Sequence, residues 1–305
     1  MIGFIGLGLI GVLLVFLMRT PKNDTSTGKS TARITNASTS RTRPLSPKEA
    51  AQLDAASDAY LALYREGLVG TCTDEVPELT DTRIGGPKVW PTGLALPEAP
   101  HGRRLIQLAH INLADLPQIT GLPKAGTLQV LVTDDDIWGC KFPSANGDGF
   151  LCVLHDADCT FDMVDEPQEN EGYTPIYRSE IAKQGRKISW QKREVPPTCW
   201  DYRLKDPYTA RVDWPDNVAK VYEGFLNEQA DVRGRYDIML LGHPDFTPED
   251  MRRDRQFRGL ENLIGFSSSG GAFMWGDVGE ACILLPPEAF KSFDLSKALY
   301  YYDCC

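Results

Sequence analysis

Residues Ile2 to Met18 form an uninterrupted apolar run of seventeen residues without a charge, and no other stretch constrains the chain as strongly. As a helix the run would be about 25 Å long, at the short end of what spans a bilayer. A cleaved signal peptide needs a basic start and small residues before the cut site. Here no Lys or Arg precedes Arg19, and the run ends in Phe16-Leu17-Met18. The expectation is therefore an uncleaved, single-pass transmembrane anchor over residues 1–19. Basic residues flank it only on the C-terminal side, so the positive-inside rule places the N-terminus outside and the remainder in the cytoplasm.

Two glycine patterns near the anchor imitate nucleotide sites. Gly6-Leu7-Gly8-Leu9-Ile10-Gly11 matches the dinucleotide fingerprint. That fold needs a helix of several turns next and an acidic strand end about twenty residues on, whereas Arg19-Thr20-Pro21 and a polar tract follow. Thr27-Gly28-Lys29-Ser30 resembles the end of a phosphate loop but has Asn23 where that loop needs its first glycine.

Residues 20–45 are rich in Ser and Thr and poor in apolar side chains, so they cannot bury enough surface to offset chain entropy. They read as a flexible linker. Residues 1–45 hold six basic residues against Asp24 alone, which leaves 26 basic and 41 acidic residues in the body of the chain, a net charge of −15. Such a body repels nucleic acid.

The domain is expected over residues 46–305. Ser46-Pro47-Lys48-Glu49 combines a hydroxyl cap, proline at the first helical position and glutamate three residues after the cap. Leu53, Ala56, Tyr60, Leu63 and Tyr64 then recur at helical spacing, which predicts a helix as far as Gly67. Leu105–Ile111, Thr127–Thr133, Phe150–His155 and Tyr236–Leu241 read as strands. Asp216–Ala230 reads as a second helix, and Thr247-Pro248-Glu249-Asp250 caps a third. Strands and helices mix without strict alternation, which makes the class α+β with largely antiparallel sheets and peripheral helices. Residues 160–210 read as a long connection between two halves. Leu105–Asn112 with Gly126–Val132 parallels Leu263–Ser267 with Gly279–Leu285 as strand, loop, glycine and strand, which a pair of related sheets would explain.

Several blocks resemble one family. They are Arg83-Ile84-Gly85-Gly86-Pro87, Trp90-Pro91, Leu108-Ala109-His110-Ile111-Asn112-Leu113 and Leu122 to Gln129, followed by Leu241-Gly242-His243-Pro244-Asp245 and Met274-Trp275-Gly276-Asp277-Val278-Gly279. In this order, over roughly residues 80–290, they look like YwqG-like proteins, a bacterial domain of unknown function. One departure is Gly265-Phe266-Ser267, where that family usually keeps a glutamine. The resemblance implies a fold and little chemistry. Because some relatives sit beside secreted-toxin systems, it also implies a protein partner and a binding role, in immunity or regulation.

The chemical motifs each have a plain alternative. Cys140, Cys152, His155 and Cys159 suggest zinc, but Cys152 and His155 lie three apart and point to opposite faces of a strand. Asp134-Asp135-Asp136 opens like a calcium loop, yet Trp138 and Ala145 stand where oxygen ligands are needed. Ser267-Ser268-Ser269 lacks the nucleophile-elbow glycine, and no histidine follows it. No cofactor is expected. The candidate binding residues are Arg83, for an anionic group or a salt bridge, Trp275 and Asp277, for a pocket wall or a capped turn, and His243, Asp134 and Asp136. If the chain is instead a hydrolase or transferase, these aspartates or His243 would act as acid and base in a pocket between the halves.

Overall fold

The computed structural model describes residues 43–98, 102–164, 176–247 and 249–304. The expected anchor lies outside the described residues, as does the linker up to residue 42. Among the described residues no helix is long and apolar enough to cross a membrane. Arg43 is already tied down, because its Nη1 donates to Glu49 Oε2 at 2.8 Å. The capping box forms as expected, with Ser46 N donating to Glu49 Oε2 (2.8 Å) and Glu49 N to Ser46 Oγ (3.4 Å). It opens helix α1 (Pro47–Leu61).

The helix does not continue to Gly67. The chain turns after Leu61 and enters strand β1 (Arg65–Cys72), in which Gly67 passes so close to Gly242 that a Cβ would lie 3.2 Å from the Gly242 Cα. The remaining elements are β2 (Arg83–Ile84), β3 (Val89–Pro91), β4 (Leu105–Asn112), β5 (Thr127–Thr133), β6 (Ser144–Ala145), β7 (Phe150–His155), β8 (Phe161–Met163), α2 (Ser179–Gln184), β9 (Arg186–Val195), α3 (Pro207–Asp213), α4 (Asp216–Arg233), β10 (Ile238–Leu241), β11 (Glu261–Ser267), β12 (Glu280–Leu285), α5 (Pro287–Ser292) and β13 (Leu299–Asp303). The third expected helix is only a 3-10 turn, Met251–Arg253. It is capped by Asp250, whose Oδ1 accepts from Arg252 N at 2.9 Å.

The class is the expected one, mostly antiparallel sheet with a few helices. In place of two related sheets, however, and apart from a separate two-stranded sheet in which β3 pairs with β8, eleven strands form one continuous order, β6-β13-β12-β11-β10-β1-β9-β2-β4-β5-β7. Two runs within it, β2-β4-β5-β7 and β10-β11-β12-β13, follow chain order, and β1 and β9 lie between them. Each run holds one of the hairpins paired in the sequence, and each hairpin carries one register shift, between Gln107 and Ala109 in β4 and between Asn262 and Ile264 in β11. The expected connection over 160–210 contains β9, which pairs with β1 along eight residues. Its charged sequence disguised it. The outward side chains of β9 reach water while its backbone sits in mid-sheet.

The sheet nearly closes into a barrel. Its two end strands, β6 and β7, are separated by four residues of chain, and the Asn146 side chain bridges them. Asn146 Nδ2 donates to Cys152 O at 2.8 Å while Asn146 Oδ1 accepts from Cys152 N at 2.9 Å. An amide side chain here replaces a strand's backbone, so polar groups at the seam stay satisfied. Inside lies one apolar core fed by strands from the whole circuit, including Leu68, Ile84, Val130, Ile238, Ile264, Ile283 and Tyr300. Outside, α1, α3 and α4 share a smaller core of Leu53, Tyr60, Ala210, Val218, Tyr222 and Phe225.

At the seam, Gly139 and Gly149 press backbone to backbone. Both have left-handed φ (72° and 94°), and a Cβ on Gly139 would sit 1.8 Å from the Gly149 carbonyl oxygen. Gly139→Ala should therefore lower stability by about 2 kcal/mol or more, read as a fall in thermal midpoint by circular dichroism.

Candidate functional site

The residues singled out in the sequence do not converge. Arg83 is 2 % exposed, and its guanidinium clamps the surrounding loop: Nη1 donates to Glu78 O (3.1 Å) and to Leu79 O, and Nη2 to Pro87 O (3.2 Å). It fixes the Gly85-Gly86 turn from inside. Burial lowers its pKa to about 10. Trp275 is fully buried in an aromatic cluster with Phe273, Trp138 and Tyr302, so no face of its ring is open to a ligand. Asp277 is exposed in the turn that follows.

His243, 1 % exposed, is locked between layers. Its Nε2 lies 2.7 Å from Leu63 O and its Nδ1 3.3 Å from Arg203 Nη2. The carbonyl requires a proton on Nε2 and the guanidinium requires a bare Nδ1, so the ring is neutral. Burial, reinforced by Arg65 and Arg233, holds its pKa well below the usual value. Asp134 pairs with Arg104. Asp136 is exposed, and the middle acid, Asp135, accepts from the amides of Ile137 (3.1 Å) and Gly139 (2.8 Å) as a turn cap. Cys152 enters the barrel core while His155 faces outward against Trp90 and Phe161. Among the described residues no group of three or more His, Cys, Asp or Glu could hold a metal ion.

A different place gathers titratable groups. A cleft of about 350 Å³ opens between the helical layer and the ends of β10, β11 and β12, not between two halves of the sheet. Its lining includes Tyr60, Trp200, Arg233, Tyr236, Asp245 and Glu280. The buried Arg233, last residue of α4, is the hub. Its Nε donates to Asp245 Oδ2 (3.0 Å), Nη1 to Pro196 O (2.7 Å) and Nη2 to His243 O (2.9 Å). Tyr236 also donates its hydroxyl to Asp245 Oδ2 (3.2 Å). Burial alone would lower the Arg233 pKa, but the carboxylate outweighs it and the pKa is raised.

Register assembles the acids. Ser267 pairs with Glu280 across β11 and β12, and Glu280 pairs with Asp303 across β12 and β13. Direct partners project from the same face, so three polar side chains form a row beside the cleft. Ser267 Oγ donates to Glu280 Oε1 (2.9 Å), and Thr247 N donates to Asp303 Oδ1 (2.9 Å). The other oxygens, Glu280 Oε2 and Asp303 Oδ2, are shut off from solvent without a hydrogen-bond partner. Burial, then the charge of Asp245, pushes the Glu280 pKa well up, and burial lifts Asp303 to about 6.

Asp245 stood within a sequence motif, but Glu280 and Asp303 did not stand out, because only strand register brings them together across the sheet. A polar residue opening one apolar strand and another closing its partner was the available signal.

The fold and site thus define a mainly antiparallel, nearly closed barrel with an acidic cleft under its helices. A family model described as "Domain of unknown function (DUF1963)" matches residues 82–304, and the chain belongs to that family. The match begins beside Arg83 and agrees with the earlier resemblance in being a domain of unknown function. No curated protein matches the chain.

Asp303 ties this site to pH. Its carboxyl holds a proton more tightly folded (about 6) than at its ordinary value of 3.8. Its contribution is therefore fully present below pH 3.8 and is lost as pH rises through 6. Asp303→Asn keeps the acceptor for Thr247 N and removes the charge. It should raise stability at pH 8 by about 1–3 kcal/mol and leave it unchanged near pH 3.5, as measured by denaturant unfolding at both values.

Proposed function

We propose that this chain is a membrane-anchored binding module. Residues 2–18 hold it in the cell membrane as a single pass, and the domain lies on the cytoplasmic side. There it receives a protein partner, in the manner of a YwqG-like immunity or regulatory domain. One observation carries the binding role: the cleft is lined by Glu280, whose second carboxyl oxygen is buried without a partner. A buried polar group without a partner costs roughly 1–3 kcal/mol, and a bound group that completes it recovers that cost. The titratable residues first singled out favour no reaction, since His243 and Asp134 are engaged internally and Asp136 and Asp277 stand apart on the surface.

A specific observation supports an enzymatic alternative, a hydrolase or transferase. Glu280, whose pKa burial raises well above the usual carboxylate value, lines the same cleft as Asp245, which is paired with Arg233. Two carboxyl groups in different surroundings, one buried beside Ser267 and one paired with a guanidinium, are the raw material of acid–base catalysis.

Native mass spectrometry of the full-length chain, extracted from its host in mild detergent, tests both. A stoichiometric protein partner is the expected result, and a bare chain would overturn the binding role. A retained small molecule whose mass changes on incubation would establish the enzyme instead.

A further inference from the structure

Several polar groups in and beside the cleft stand without a partner. Arg233 Nε, Nη1 and Nη2 each donate once, to Asp245, Pro196 O and His243 O. The Tyr236 hydroxyl points to Asp245 and the Ser267 hydroxyl to Glu280. What remain without a partner are the Thr198 and Thr247 hydroxyls and two carboxyl oxygens, Glu280 Oε2 on the cleft wall and Asp303 Oδ2 beside it, behind Thr247. Asp303 is 7 % exposed. The two carboxyl groups stand directly opposite on neighbouring strands, where like charges repel, and no cation of this chain is paired with either among the described ion pairs. The rest of the wall includes aromatic Tyr60, Trp200, Tyr236 and Phe246.

Two unpartnered carboxyl oxygens on neighbouring strands, with no cation paired to them among the described ion pairs and aromatic faces alongside, favour a compact, donor-rich cation. A guanidinium presents a planar fork to one carboxylate, whereas an ammonium splays three donors toward separate oxygens. The two unpartnered oxygens here belong to different carboxyl groups on different strands.

We propose that the cleft binds a primary ammonium group on an aliphatic stem, the stem lying along the aromatic wall and the ammonium seated between Glu280 and Asp303. The group is either a lysine side chain of a protein partner or a small free amine. This rests on the binding role above and gives it a chemical target. Binding favours the ionised form of the acids, because a charge-assisted hydrogen bond to a carboxylate is roughly twice as strong as one between neutral groups. Affinity therefore rises with pH through the region near 6 where Asp303 ionises.

The probes are Nα-acetyl-lysine amide and n-butylamine, titrated into the full-length detergent-solubilised protein and followed by NMR. Nε-acetylated Nα-acetyl-lysine amide serves as the uncharged control. Saturable one-to-one binding of both amines is expected, at least threefold tighter at pH 7.5 than at pH 5.5, with no binding of the control. Glu280→Gln should weaken it about tenfold or more, the loss of one charge-assisted hydrogen bond, and Asp303→Asn should flatten the pH dependence. Both variants are checked for an unchanged fold by circular dichroism, and should Glu280→Gln fail to fold, the Asp303→Asn pH profile decides. Equal binding of the acetylated control, or amine affinity indifferent to both substitutions, overturns the proposal.

Zero-length carbodiimide coupling in the host extract separates the sources. A cross-link from Glu280 to a partner lysine identifies a protein, and an added mass of a small amine identifies a free ligand. Failure to bind amines while a stoichiometric partner is retained sinks this inference and leaves the binding role standing. Failure of both sinks both.

Discussion

The barrel depends on the ladder between β1 and β9. Eight residue pairs, from Arg65 with Val195 to Cys72 with Ile188, join two four-strand runs that otherwise have no strand in common. β1 pairs onward with β10 and β9 with β2, so each of the two central strands lies between the other and one run. Close approach makes this possible: Gly67 and Gly70 on β1 leave room for Gly242 on one side and for Ile188 and Ile238 across the other. Bulkier residues there would force the neighbouring strands or side chains apart.

From that ladder the site follows. β9 runs into Pro196 and Pro197, whose carbonyls receive Arg233 of α4 and Tyr60 of α1. The helical layer is thereby fixed against the outer face of the sheet, and the cleft is the space left where the layer stops short of the ends of β10–β12. Arg233 has two tasks in one guanidinium. It fastens helix to loop through backbone carbonyls, and it pairs with Asp245 next to a glutamic acid whose pKa burial raises. Structural rigidity and the electrostatic character of the cleft thus share a residue, and a change at Arg233 cannot alter one without the other.

How much of this was readable from the sequence varied by element. β4, β5, β7 and β10 announced themselves as short apolar runs, and α1 through its capping box, because these features are local. β1 and β9 did not. Arg65-Glu66-Gly67 at the start of one, and the alternating charges of Arg186–Val195, look like surface loop when only hydrophobicity is considered, although a strand with one wet face needs no continuous apolar run. The sites divide in the same way. Arg83 was visible as a charge beside two glycines, but nothing local says that its partners are backbone carbonyls. Trp275 was visible as an aromatic among glycines, and the core claimed it. Glu280 and Asp303 lie 23 positions apart in a sequence where only the register of β12 and β13 makes them neighbours.

The family match begins at residue 82, downstream of β1. A fragment cut there would keep both four-strand runs yet lack the strand that stands between β10 and β9. Two facing edges would be left about one strand-width apart, each with a row of unpaired amides and carbonyls. Such a slot is a template for strand donation. An extended segment from a second molecule could fill it as β1 does, with small residues required at the positions of Gly67 and Gly70. In this domain the boundary of recognisable homology and the boundary of a self-sufficient fold are therefore different, and the seventeen residues from Arg65 to Asp81 decide whether the barrel is completed from within or from outside.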